Sequence, residues 1–139
     1  GVVNYTFWAP EKSMDFAGVR DFVKRYQARA RDAGVDPLGY YLPPYCYAIG
    51  QVLAQAVQAT DSLDHGKLAQ YIHSHELNTI VGDIRFGAEG EWEKPRVVYV
   101  QFRGVANRDI DQFRKSGVQV IVAPAAFKTG EVRPFAAER

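Results

Sequence analysis

The chain has 139 residues, 47% of them hydrophobic and 24% charged, a composition that fits an ordinary globular domain and excludes disordered, collagen-like and coiled-coil classes. Seventeen basic against sixteen acidic side chains leave a formal net charge of +1, so no global field draws the protein to nucleic acid or to an anionic membrane surface. One cysteine, Cys46, cannot close an internal disulfide, and no apolar run approaches the ~20 residues that span a bilayer.

Val2, Val3, Tyr5, Phe7 and Trp8 are β-branched or aromatic and Pro10 ends the run, which predicts a strand over residues 1 to 8 entering a loop. A start inside a strand and without methionine points to a piece of a longer protein, with any signal segment upstream of Gly1. From Ser13, a candidate N-cap, Phe16, Val19, Val23, Tyr26 and Ala30 recur at helical spacing. This predicts an amphipathic helix closed by Gly34. Its basic cluster, Arg20 to Arg31, is interleaved with Asp15, Asp21 and Asp32 and reads as a solvated face.

Prolines suit a first helical turn and hold the residues before them extended, so a second helix is expected to start at Pro43 or Pro44. Tyr45, Ala48, Ile49, Val52, Leu53, Ala56 and Val57 form a wide apolar stripe, which predicts a well-buried helix. Asp64 caps a third, shorter helix carrying Leu68, Tyr71 and Ile72, whose polar end, HSHEL, fades into a loop. After Gly82 the pattern turns to period two. Ile84 and Phe86, then residues 97 to 102, then 118 to 123, predict three strands, and the tail FKTGEVRPFAAER runs on the surface.

Two groups of residues carry candidate chemistry. His73, His75 and Glu76 are possible metal ligands or proton carriers, yet residues two apart on a helix diverge and no further ligand stands at a recognisable spacing. Cys46 lacks any nucleophile signature, and a free cysteine ordinarily packs as a small buried hydrophobe. The second group is aromatic. In YYLPPYCY, Tyr45 falls on the second helix's stripe, but Tyr40, Tyr41 and Leu42 precede it and cannot share that core. Aromatic rings supply large apolar contact and tyrosine adds an orienting hydroxyl, so these residues, with Tyr5 and Trp8 at the end of the first strand, are either packing or a pocket wall.

Three stretches in order, GVVNYTFWAP with FAGVRDFVKRYQ, then YCYAIGQVLAQAVQATDSLDHGKLAQYI, then NTIVGDIRFGAEGEWEKPRVVYVQFRG, resemble the C-terminal part of type I periplasmic binding proteins, the branched-chain amino-acid and aromatic-acid receptors of ABC transporters. The resemblance covers roughly residues 1 to 123. It implies an α/β fold, three helices followed by about three strands, cut from a two-lobed protein that closes on its ligand. Residues 1–12 would be a strand and inter-lobe crossing, 13–81 helices of the first lobe, 82–123 strands returning toward the second, and 124–139 a tail. By the same resemblance the function is non-enzymatic: capture of a small organic acid or amino acid, aromatic or hydrophobic for preference, and delivery to a membrane permease outside the cytoplasm. The ligand-binding residues it implies are Tyr41 and Leu42, with Tyr5, Trp8 and Tyr40 beside them, and no cofactor, metal or nucleic acid. The double proline and the long ANRDIDQFRKSG segment depart from the family pattern. A sensory receptor of the same fold and a Cys46- or histidine-dependent enzyme are the alternatives. A fragment of such a protein should leave apolar surface uncovered, and so either self-associate or pack against the missing N-terminal part.

Overall fold

The computed structural model describes residues 1–94 and 96–134. In chain order the regular elements are β1 (Val3–Thr6), α1 (Val19–Ala30), α2 (Pro43–Thr60), α3 (His65–Ser74), β2 (Leu77–Thr79), β3 (Gly82–Ile84), β4 (Val98–Phe102) and β5 (Gln119–Ala123), with 3₁₀ turns at Lys12–Met14, Ile110–Arg114 and Ala125–Phe127. The expected mixture of three helices and later strands is present, with the further short strand β2. The chain divides into two compact units that do not follow sequence order: Gly1–Asp15, Val23–Tyr41 and the chain from Arg96 onward in the first, Phe16–Phe22 and Leu42–Pro95 in the second.

The first unit is built on an antiparallel sheet in the order β1-β4-β5. Tyr5 pairs with Tyr99 and Thr6 with Val98 across β1 and β4. Against β5, Tyr99 pairs with Ala123 but Val100 with Ile121, so Val122 is an extra residue and the ladder bulges there. Val98, Val100, Val120 and Ile121 are buried along with Trp8, Met14, Val23, Ala30 and Tyr40. Polar groups are satisfied within this core. Gln101, 1% exposed, donates to the carbonyl of Arg133 and accepts from the Arg133 N–H and the Arg103 guanidinium. Buried Glu11 accepts from the Ser116 hydroxyl at 2.8 Å and the Gly117 N–H at 2.6 Å, which fastens the loop after β1 to the turn before β5.

Helix α1 starts later than its periodicity predicts. Gly18 sits at φ +81°, in the left-handed region, so the helix cannot run back through it, and Phe16 lies outside. Ser13 is no N-cap: it belongs to the Lys12–Met14 turn, where its hydroxyl donates to the Phe127 carbonyl. The predicted stop does hold. Gly34 at φ +65° lets the Val35 N–H reach the Ala30 carbonyl and its own N–H reach Arg31, the Schellman arrangement.

In the second unit, α2 begins at Pro43, as the double proline predicts. Leu42, expected to be extended, instead has right-handed angles (φ −88°, ψ −34°), and its carbonyl accepts from the N–H groups of Tyr45 and Cys46. The two prolines stand where N–H groups have no intrahelical partner, so nothing is lost by their lacking them. Burial of α2 is less than expected. Pro44, Ala48 and Ala56 are buried, while Ile49 and Leu53 on the far side of the stripe are 69% and 51% exposed. Cys46, expected to be buried, is exposed on that same side. The 18 residues of α2 include no charged side chain.

Asp64 caps α3 as predicted, its Oδ1 accepting from the Lys67 N–H at 2.9 Å. The HSHEL segment does not fade out: Leu77 opens the β2–β3 hairpin, in which Leu77 pairs with Ile84 and Thr79 with Gly82. Two glutamines one turn apart on α2 hold this hairpin. Gln55 donates to the Asn78 carbonyl at 2.9 Å and accepts from the Asn78 N–H at 3.2 Å, as a neighbouring strand would, and Gln51 accepts from the Ile80 N–H at 2.9 Å. Ile80 is 3% exposed, so Gln51→Ala strands a buried N–H; we expect a loss of about 1–3 kcal/mol, read as a lower urea midpoint at unchanged slope. Phe86, just before the GAEGEW segment, and Trp92, its last residue, are joined by one antiparallel bridge. Of the predicted surface tail, residues 135–139 lie outside the described residues.

Candidate functional site

The first unit contains a cleft of about 370 Å³ within which three of the residues singled out from the sequence meet. Tyr5, from β1, and Tyr40 and Tyr41, from the loop after α1, line it together with Asn4, Thr6, Asp36 and Leu38. The rest of the lining is Val100 and Phe102 of β4, Gln119 of β5, and Ile110 and Phe113 of the 3₁₀ turn. The volume is near the lower end of the ~300–1,000 Å³ typical of small-molecule sites.

Local chemistry sets the loop that brings Tyr40 and Tyr41 here. Asp36 accepts from the Leu38 N–H on one carboxylate oxygen and the Gly39 N–H on the other, at 3.1 and 2.9 Å, closing an Asx-type turn. Gln27 on α1 donates to the Leu38 carbonyl, and Arg114 donates to the Pro37 carbonyl at 3.1 Å. Gly39 is at φ +68°, and a Cβ there would collide with the Tyr26 ring, so both conformation and space require glycine.

Tyr41 is half-exposed and sits amid rings. Its hydroxyl is 3.0 Å from that of Tyr5, and its ring centroid lies 4.8 Å from Phe7 and 6.1 Å from Tyr5. The hydrogen bond with Tyr5, then partial burial, then the charge that Tyr5 would carry, hold the Tyr41 phenol above its usual pKa. Tyr26 behind the loop is also raised, first by burial and then by the negative charge of Asp36. Tyr41 therefore presents a neutral hydroxyl and an apolar face.

Two of the five expected contact residues stand elsewhere. Trp8 is 2% exposed, its indole N–H donates to the Met14 carbonyl at 2.9 Å, and its ring meets Tyr40 edge-on at 4.8 Å, so it is core behind the wall. Leu42 belongs to the second unit as the residue that opens α2 and does not line the cleft. Asp36, Phe102, Phe113 and Gln119 are lining residues that sequence reasoning passed over. Only Asp36 had a local signal, the turn-forming D-P-x-G run directly before the tyrosines.

A wider groove of about 850 Å³ runs along α1 in the same unit, where Lys24, Arg31 and Arg114 alternate with Asp32, Asp109 and Asp111. Its charges answer one another, as in the 2.7 Å Arg114–Asp111 pair, and it lacks converging aromatic walls, which favours the smaller cleft as a binding site. In the second unit His73, His75 and Glu76 are exposed, and His75 is held locally: Nδ1 lies 2.9 Å from the Ser74 hydroxyl and 3.0 Å from the Tyr71 carbonyl, with its ring stacked on Tyr71. Among the described residues no group of three or more His, Cys, Asp or Glu side chains could hold a metal ion, and no helix is long and apolar enough to cross a membrane.

No family model matches the chain, and no curated protein matches it.

Proposed function

We propose that the chain is part of a solute-binding component of an ABC import system, one that captures a small amino acid or organic acid with an aromatic or hydrophobic group and passes it to a membrane permease. The observation that carries this reading is the convergence of Tyr5, Tyr40 and Tyr41 on one cleft, although Tyr5 and Tyr41 are 36 residues apart in the chain. Aromatic faces desolvate an apolar group, and the paired hydroxyls orient it without proton transfer. Ligand contact that favours one arrangement of the full protein over another would shift its population toward a form the permease reads. The sequence resemblance supports the same reading.

A thermal-shift screen of the chain against amino acids and aromatic acids tests it. A ligand present at about one hundred times its Kd should stabilise by about 2.7 kcal/mol. Tyr41→Ala, which changes a half-exposed residue, should remove that gain while leaving the unliganded melting temperature nearly unchanged. A screen in which no amino acid or aromatic acid raises the melting temperature refutes the proposal.

A further inference from the structure

We propose that this cleft receives the cationic end of its ligand, an ammonium group next to an aromatic or branched apolar group, and that Asp36 is the residue that selects it; the inference rests on the binding reading above and names the ligand class. Of the described residues lining the cleft, Asp36 alone carries a formal charge, the remaining polar groups being hydroxyls and the neutral amides of Asn4 and Gln119. A ligand carboxylate would find no cation there and would face a fixed negative charge.

Asp36 is held ready for a donor. Each carboxylate oxygen accepts one backbone N–H, from Leu38 and from Gly39, which fixes its orientation. A carboxylate offers about four lone-pair sites, so acceptor capacity remains for an ammonium. Arg114 does not line the cleft: its Nε donates to Asp111 and its Nη2 to the Pro37 carbonyl, and it lines the α1 groove. The tyrosines add to the same preference. A cation within ~6 Å of a tyrosine ring is drawn to its negative face. The Tyr5 and Tyr41 hydroxyls, bonded to each other, keep lone pairs that an N–H can use.

Phenethylamine, phenethyl alcohol and hydrocinnamate present one ring with a positive, neutral or negative end, and titrating each into the 139-residue chain separates the outcomes. With tyrosine-ring NMR shifts as the readout, the amine should bind at least about tenfold tighter than the acid, the alcohol falling between. Asp36→Asn should bring the amine to within about twofold of the alcohol, the ratio of the two being the readout because the substitution also removes one acceptor of the loop N–H groups. Because Asp36 also shapes its loop, the unaltered chain provides a second measure: the amine's advantage should shrink between about 20 mM and about 500 mM salt. Acid binding as tight as amine, or an amine advantage indifferent to both Asp36→Asn and salt, overturns this inference and leaves the binding reading standing. Failure of all three probes to bind overturns this inference, and the binding reading falls with it only if the amino-acid and aromatic-acid screen also finds no ligand.

Discussion

Trp8→Ala is expected to destabilise the first unit by about 3–5 kcal/mol, the largest loss from any single change considered for this protein. Trp8 is 2% exposed, so truncation opens a cavity the size of an indole against Met14 and Tyr40, which are themselves 0% and 6% exposed. It also removes the donor to the Met14 carbonyl, leaving a buried acceptor without its partner. Trp8→Phe separates the two contributions, since it restores most of the ring and not the N–H; it should recover more than half of the loss. Hydrogen exchange is the appropriate measurement, and protection should fall first in β1, β4 and β5. A loss below about 1 kcal/mol would mean that Trp8 is not the core residue described, and would return it to the ligand-binding wall.

The second large effect belongs to the other unit. Leu77 is fully buried in the β2–β3 hairpin, alongside Ile80, Val81 and Ile84. Leu77→Ala should cost about 2–5 kcal/mol, the spread reflecting how far a two-stranded hairpin can relax around the void. Exchange protection should fall in β2, β3 and the facing part of α2, where Gln51 and Gln55 are bonded to the hairpin. The chain divides into two compact units, so the pair of variants is also a test of the division: Trp8→Ala should leave the hairpin amides the better protected, and Leu77→Ala the sheet amides. Equal loss of protection everywhere in both variants would show instead one cooperative structure.

What could be read in advance was set by local chemistry. Pro43, Gly34 and Asp64 mark helix ends through their own backbone preferences and side-chain reach, and each stands where it was expected. The start of α1 was misjudged because the apolar spacing runs unbroken through Gly18, whose left-handed conformation interrupts the helix. Strand β2 was missed because three residues carry too little pattern, and what sustains them is a pair of glutamines more than twenty residues upstream. The cleft divides in the same way. Tyr40 and Tyr41 were conspicuous as aromatics excluded from a helix stripe, but their meeting with Tyr5 depends on where the loop after α1 lies against the sheet. Trp8 was indistinguishable from them until its N–H was seen to be bonded to a main-chain carbonyl inside the core.

The glutamine pair has a consequence for behaviour at high concentration. An open strand margin is a template on which other molecules can polymerise, and proteins ordinarily guard it with charge, proline or a covering helix. Here the Asn78 main chain has both its donor and its acceptor already taken by the Gln55 amide, and the Ile80 donor is taken by Gln51. Side chains from a helix thus occupy, along the β2 margin, the positions an invading strand would need, without one lysine being placed there.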